Sequence, residues 1–475
     1  MTDLVIYDTE ASDLDVRHGQ ITQFGAIRAD TDFNVLAETD IRVRRLPWIV
    51  PSPEALKVTG TSAHELSGEG TISEYRASEL IESFLVPGYG QERIFITFNG
   101  RFDDELIRST LFRNLRSPWF TSGKLSVKVD LLDMVRLACA AGRDLISVPV
   151  NDKGQDSWRL ENLCPANGIR IEAHRALGDS YATMELARLV RKAAPWAWET
   201  AVRCGLASRC ESLLAKAAST GEPVFLFTHF GKAEVVPAAV LGTDKKKKWV
   251  LADLRGAREI PSDREEIASL LFTAGTPLPV IRSNNSPYLL DRETAMAIDP
   301  QIDLDGILSR AVHIKDSPIP EMATASLKSR TYEKAGTLTS EERIYSGFVS
   351  DWDKPTMTRF HRAHSWQEKA SLKFRDDRLA DFAARIVLEA RHYGEADLSE
   401  GQAREAEALC SEALSRPWAA AEDARWTTLA SAALNADDEW LSWASAEFGH
   451  VPGAETTTFQ NVEDSAQARQ MDFGF

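Results

Sequence analysis

Apolar and polar positions follow two rhythms along the first two hundred residues. The run Leu4, Val5, Ile6, Tyr7 is continuous and carries β-branched members, which predicts a buried strand rather than a helix. "ITQFGAIRA", the turn-like "DTDFN" and "VLAETDIRVRR" extend it into an antiparallel meander. Helical spacing follows in "SPEALKVTG" and "TISEYRASELIESFL", and then a second core strand in "RIFITF". After that strand come a helix in "NGRFDDELIRSTLFRNL", a strand running into a helix in "KLSVKVDLLDMVRLACAA", and helices in "SWRLENLCPANGI" and "HRALGDSYATMELARLVRKAAP", closed by Gly168 and Pro195. A meander followed by interleaved strands and helices predicts an α/β domain with a mixed sheet over residues 1–198.

The pattern then shifts. Short strands in "EPVFLFTHFG", "EVVPAAVLG" and "KWVLADL", the last two joined across "TDKKKK", predict a β-rich unit over 199–350 with helical additions such as "DREEIASLLFT". From 351 to 450 the chain reads as helices, notably "RDDRLADFAARIVLEARHYG" and "EGQAREAEALCSEALSRP". Residues 451–475 are polar and aperiodic and read as a flexible tail.

A chain of 475 residues exceeds what one core accommodates, so several domains are expected. No basic stretch leads into an apolar one near the N-terminus, and no apolar run reaches bilayer length, so a cytoplasmic location without membrane contact is expected. Cys139, Cys164, Cys204, Cys210 and Cys410 show no metal or redox spacing and read as reduced core thiols. The net charge of -16 argues against nucleic-acid binding through a broad basic surface, while leaving room for a locally basic groove.

Candidate chemistry begins where the first strand ends. Asp8 and Glu10 are two apart and share a face, and like charges about 4 Å apart at an effective dielectric of about 20 repel by roughly 4 kcal/mol. In "FNGRFDDELIRSTL" the stripe Leu106, Ile107, Leu111 is led by Asp103; in "HRALGDSYATMELARLV" the stripe Ala182, Leu186, Leu189, Val190 is led by Asp179. An acid aimed inward needs a cation, a hydrogen-bond network or a proton. A pair of magnesium or manganese ions would satisfy all four acids and would suit phosphoryl displacement. His174, five residues before Asp179, has the pKa range of a general base for the attacking water.

"DTE", "NGRFDDELIR" and "HRALGD", in strand, helix and helix contexts, resemble the three motifs of the DEDD 3'→5' exonucleases whose base is a histidine, a ribonuclease-H-like fold. "ALKVTGTSAHEL", "DLLDMVRLACA", "SWRLENLCPANGI" and "EERIYSGFVSDWDK" extend the likeness to the bacterial exonuclease I family, which degrades single-stranded DNA from its 3' end. The resemblance implies Asp8, Glu10, Asp103 and Asp179 as ligands of two Mg2+ ions, with Mn2+ an alternative, and His174 as base. Asp103 is preferred to Asp104 because the motif places the ligand directly after an aromatic. Substrate contacts are implied for Glu10, through the terminal 3' hydroxyl, and for Arg159, Arg108 and Arg136; Trp158 offers a base-stacking surface. The family commonly has an aromatic between the first two acids, where this chain has Thr9.

The resemblance also implies an SH3-like fold for the β-rich unit, a helical C-terminal domain closing a DNA channel, and a single-stranded DNA-binding protein as partner. The products expected are 5'-mononucleotides, in DNA repair or recombination. A DEDD ribonuclease or proofreading exonuclease, and a non-catalytic DNA-binding adaptor, are the alternatives. The terminal "QMDFGF", Gln470 to Phe475, reads either as a peptide that docks on a sliding clamp or as a tail with chance aromatics. Lys245 to Lys248 read as a solvated hairpin tip or a DNA contact, Thr59 and Gly60 as a helix end or a grip on the 3' nucleotide, and Trp366, Trp418, Trp426, Trp440 and Trp443 as core.

Overall fold

The apolar run at the N-terminus becomes β1 (Asp3–Ala11), longer than its apolar core because the strand continues through both acids. In the computed structural model the described residues are 2–86, 92–142, 144–171, 174–228, 233–256, 260–261, 263–273, 275–330, 338–422 and 424–452. Gln470 to Phe475 lie outside them.

β1 pairs antiparallel with β2 (Ile21–Ala29), which pairs with β3 (Val35–Arg42). The turn between β2 and β3 is fixed by Asp30, whose Oδ1 accepts the N–H groups of Asp32 and Asn34. α1 (Pro53–Thr59) and α2 (Glu74–Leu85) follow. Ser52 and Ser73 cap their N-termini, and Gly60 closes α1 with φ +62°, so "VTG" is a helix end here. β4 (Arg93–Thr97) and β5 (Ser126–Asp130), flanking α3 (Arg101–Arg113), lie parallel to β1. The order β3-β2-β1-β4-β5 is the mixed, ribonuclease-H-like sheet expected from the sequence.

Period-two alternation splits the sheet's side chains between two layers. Val5, Tyr7, Phe24 and Phe95 meet Ile81, Leu106 and Leu111 of α2 and α3. Leu4, Ile6, Ile27, Ile96 and Val129 meet the helices that come later: α4 (Leu131–Ala141), α5 (Leu160–Ala166), α6 (Ala176–Ala193) and α7 (Pro195–Gly205). Pro195 both ends the α6 pattern and starts α7, where its missing N–H costs nothing.

The expected junction at 198/199 falls within α7. That helix and α8 (Ala207–Thr220) carry one continuous apolar core into a second sheet. Its strands β6 (Val224–Thr228), β7 (Glu234–Thr243), β8 (Lys248–Asp253), β9 (Val280–Arg282) and β10 (Leu289–Leu290) run antiparallel in the order β10-β6-β7-β8-β9. The other face of this sheet is covered by α9 (Arg264–Leu270), α11 (Leu304–Lys315) and α12 (Ile319–Ser329), while α10 (Arg292–Ile298) buries Ala295 in the first core, beside α4. Among its described residues this unit is therefore more helical than stranded. Lys248 lies inside β8, buried with its ammonium 4.9 Å from the Phe272 ring, so only the preceding lysines form the solvated tip.

The remaining elements are helical: α13 (Asp353–Arg362), α14 (Trp366–Ser371), α15 (Asp377–His392), α16 (Glu400–Leu409), α17 (Ser411–Ser415), α18 (Leu429–Ala433) and α19 (Asp438–Phe448). The single helix expected over "EGQAREAEALCSEALSRP" breaks at Cys410. Phe360, Leu379 and Phe382 bury Phe112 and Leu115 from the end of α3, and Trp440 and Trp443 bury Val50 and Leu56 beside α1. Trp366 and Trp426 are partly buried, but Trp418 is 54% exposed and rests only an edge on Phe448, so it is not a core residue. The cysteines are free, four of them buried and Cys139 half-buried. No described helix is long and apolar enough to cross a membrane.

Candidate active site

The site forms because β1 outruns its neighbour. Pairing with β4 stops at Ile6↔Ile96, whereas pairing with β2 runs on to Ala11. Asp8, Thr9 and Glu10 therefore project past β4 at the carboxyl end of the sheet, the usual place for a ligand crevice in α/β folds. Phe98, Asn99 and Gly100 turn the chain from β4 into α3, and Asp130 holds that turn by accepting the N–H groups of Asn99 at 2.9 Å and Gly100 at 3.2 Å. The first turn of α3 then delivers Asp103.

α6 delivers Asp179. It packs on β1 and β2, and its closest approach is over Gly25, where a Cβ would lie 2.0 Å from the Leu177 nitrogen. Ser180 fixes the contact by donating its hydroxyl to the Gly25 carbonyl at 2.9 Å. Asp8, Glu10 and Asp179 each present a carboxylate oxygen within 4.8 Å of the others.

The electrostatics show the strain of this arrangement. Burial pushes Asp8 well above the usual carboxylate range, and Asp103, Asp179 and Glu10 add to it in that order. Glu10 is raised to about 7 by burial, then by Asp179 and Asp103, with Arg175 opposing. Asp103 is raised to about 7 by burial and Asp104, against the hydrogen bonds it accepts from Thr9. Asp179 is raised to about 6 by burial and Glu161, against His174. Carboxylates crowded in this way fit a hard divalent cation, which replaces mutual repulsion with ligation by oxygen. Asp103, on α3, is outside the group formed by Asp8, Glu10 and Asp179 and acts on Asp8 and Glu10 through its charge.

Asp104 has other partners. It accepts the Tyr7 hydroxyl, pairs with Lys128, and lies 3.9 Å from Arg108. Its neighbour Asp103 accepts both the N–H and the hydroxyl of Thr9 and is the largest charge acting on Asp8.

His174 sits just before α6 with φ +61°, a conformation unusual for a side chain that is not glycine. This turn aims its N–H at Asp179 Oδ2, 3.0 Å away, and leaves the ring half-exposed with Nε2 3.4 Å from Glu161 Oε2. Arg159 is 71% exposed and 3.3 Å from Glu161. Arg108 is mostly buried, donating to Thr121 Oγ1 at 2.6 Å and lying 5.8 Å from the Phe120 ring centre. Arg136 lies over the partly buried Trp158 at 5.5 Å and 3.8 Å from Asp133. The histidine thus joins the acids, Arg159 donates to Glu161 but is otherwise turned to solvent, and Arg108, Arg136 and Trp158 are engaged within the protein. Gly25 and Glu161 were not singled out by sequence reasoning, and Thr9 was noted only as a departure from the family pattern, without its bond to Asp103. A glycine amid the apolar strand "ITQFGAIRA" was a readable sign of close backbone approach; Glu161 carried no comparable signal.

Fold and site together define an exonuclease of the ribonuclease-H-like class. Residues 5–187 match the family model described as Exonuclease, and residues 339–439 match the Exonuclease I C-terminal domain. The chain is 27% identical over 425 residues to exodeoxyribonuclease I of Haemophilus influenzae, covering 82% of this chain and 86% of that protein. It is 26% identical over 356 residues to exodeoxyribonuclease I of Escherichia coli, covering 70% and 74%. The E. coli exonuclease I structure in complex with a dA16 oligonucleotide superposes with a TM-score of 0.76 at 22% identity, over 94% of this chain and 98% of that one. Exonuclease I from Methylocaldum szegediense superposes with a TM-score of 0.75 at 25% identity, over 95% of both chains. The chain belongs to the bacterial exonuclease I family.

Proposed function

We propose that this protein is a 3'→5' exodeoxyribonuclease that hydrolyses single-stranded DNA to 5'-mononucleotides with a pair of divalent ions, Mg2+ or Mn2+. The observation that carries the reading is the convergence of Asp8, Glu10 and Asp179 oxygens within 4.8 Å, with the Asp103 charge acting on Asp8, inside the segment matched by the Exonuclease model. Asp8, Glu10, Asp103 and Asp179 would hold the ions. When bound, these supply the positive charge that offsets charge building on the phosphate and on the departing 3' oxygen.

The rest is assigned to the chain's own groups. The half-exposed His174 ring accepts the proton of the attacking water, with Glu161 beside Nε2 to orient it. The bond from the His174 N–H to Asp179 couples the base to the acid cluster, so the two move as one unit. Glu10 receives the terminal 3' hydroxyl. Arg159, unburied and carrying a planar donor fork, suits a backbone phosphate; Arg108 and Arg136 are assigned as further contacts to the strand and Trp158 as a base-stacking surface.

Two relatives' structures are described as complexes of exonuclease I with SSB or its C-terminal peptide. A single-stranded DNA-binding protein is accordingly the partner proposed for this chain, with repair or recombination in the cytoplasm as its setting. The SH3-like reading applies to the β6–β10 sheet, and the sliding-clamp reading to Gln470 to Phe475.

A panel of end-labelled oligonucleotides, DNA and RNA, single- and double-stranded, blocked at either end and incubated with Mg2+, tests the proposal. Stepwise loss of nucleotides from a free DNA 3' end supports it. Equal degradation of 3'-blocked strands, preference for RNA, or full digestion in excess chelator overturns it.

A further inference from the structure

Thr9 lies between the two acids of β1, yet its side chain leaves the strand on the opposite face, the one that meets α3. Because β4 has already parted from β1 at Ile6, the Thr9 N–H lacks the strand partner that residues further back have. Asp103 supplies the acceptor: its Oδ1 takes the Thr9 N–H at 2.9 Å and the Thr9 hydroxyl at 2.6 Å. Thr9 is 8% exposed and Asp103 7%, so water competes little for either bond. A hydroxyl at this distance from a carboxylate lies in the range of strong, charge-assisted bonds.

Both bonds fall on one oxygen. The carboxylate is thereby pinned about Oδ1, and Oδ2 carries neither of them. The next residue on the same β1 face toward α3, Tyr7, holds Asp104 in the same fashion through its phenol hydroxyl, with Lys128 at the other oxygen. Two consecutive acids at the start of α3 are thus each held by a different hydroxyl of β1. Tyr7 ties Asp104 into the protein's own ion pairs, while Thr9 leaves Asp103 with one oxygen to offer.

We propose that Thr9 is a positioning residue, whose hydroxyl sets the Asp103 carboxylate in the orientation that completes the acid cluster around a divalent cation. The inference rests on the metal-dependent reading above. It adds a residue that never touches the ion or the DNA but acts through one that does.

The test uses the full-length chain and three substitutions. Thr9→Val removes the hydroxyl at constant shape, Thr9→Ala removes it with less packing, and Thr9→Ser retains it. Mn2+ binding is measured in the absence of DNA by titration calorimetry and by the Mn2+ paramagnetic resonance signal; kcat and KM are measured on a single-stranded oligonucleotide. Loss of a partner that orients a ligand is expected to weaken Mn2+ binding and lower kcat by about 10- to 100-fold in Thr9→Val and Thr9→Ala. KM for the strand should be unchanged, and Thr9→Ser should restore both quantities. Parental Mn2+ affinity and kcat in both hydroxyl-free variants would overturn the proposal, and so would a Thr9→Ser protein as impaired as Thr9→Val, since packing and not the hydroxyl would then be at work. Asp8→Asn separates the two levels: if it binds Mn2+ as well as the parent, the metal reading fails and this proposal fails with it.

Discussion

Gly25 stands directly across from Asp8 in the β1–β2 register, and its missing side chain is what allows α6 to settle on the sheet at that point. The consequence is chemical as well as structural, because Asp179 rides on the first turn of α6 and meets Asp8 only if the helix lies this close.

Gly25→Ala is therefore expected to injure the site from behind. A methyl group there would fall 2.0 Å from the Leu177 nitrogen, and the neighbour is backbone, which cannot rotate away. Overpacking of this kind costs about 1–3 kcal/mol of stability. Moving a ligand by about 1 Å costs about 100-fold in rate. Denaturant melts together with oligonucleotide hydrolysis would show a folded protein that has lost most of its activity; parental activity would mean that α6 has room to spare.

His174→Ala should separate base from ligands. The backbone N–H that serves Asp179 survives the substitution, so Mn2+ affinity should remain near the parent's. Loss of a general base lowers kcat by about 10²- to 10⁴-fold. A variant whose kcat stays at the parental level would remove His174 from the mechanism, and one that loses Mn2+ affinity as well would make the ring a support for the acids.

What could be read from the sequence and what could not divides along physical lines. The run Leu4 to Tyr7, the stripes behind Asp103 and Asp179, and the glycines that end α1 and α5 are local signals, and each became the element it announced. Of the second sheet's helical cover only α9 was read, in "DREEIASLLFT"; α11 and α12 were not, since they owe their burial to a sheet distant in sequence. Lys248 shows the same limit: its neighbours are solvated lysines, and only the fold places Phe272 beneath its ammonium. In the site, the acids were legible because an inward carboxylate breaks the apolar pattern. Thr9 and Glu161 were not, because their roles depend on partners 94 residues away in one case and on the chain reversal at His174 in the other.

Removing divalent ions should expose the repulsion among the acids as a dependence of stability on pH. In the folded, ion-free chain Glu10 and Asp103 hold protons up to about 7 and Asp179 up to about 6, above their values in an unfolded chain. The folded state then binds more protons than the unfolded state in that window, so stability falls as pH rises from about 4 through about 7. Chelated protein should show a falling Tm across this range, and saturating Mg2+ should flatten the profile. Identical profiles with and without the ion would argue that the acids do not bind it.

A second buried acid offers an independent test, far from the chemistry. Glu74, at the start of α2, is gripped by Arg113 through both oxygens, at 2.6 and 3.0 Å, and by Asn114 at 2.8 Å. Its N–H donates to Glu389 of α15 at 3.1 Å, which brings two carboxyl groups together in the seam between the N-terminal domain and the C-terminal helices. Arg113 is committed to Glu74, and Arg44 and Glu395 act on Glu389 with opposite signs. Burial, and then the Glu74 charge, accordingly push Glu389 up to about 8. It is protonated at neutral pH in the folded protein and ionised in the unfolded one. Its contribution is present below the unfolded value and lost as pH rises through about 8, by on the order of a few kcal/mol over the window. Glu389→Gln, which keeps the acceptor and cannot ionise, should match the parent near pH 5 and exceed it in Tm above pH 8. Arg113→Ala strips the pairing from a buried Glu74 and should destabilise by about 3–5 kcal/mol at neutral pH. A Glu389→Gln protein that tracks the parent across the whole range would place that carboxyl in contact with water, and the seam would then be wetter than its packing implies.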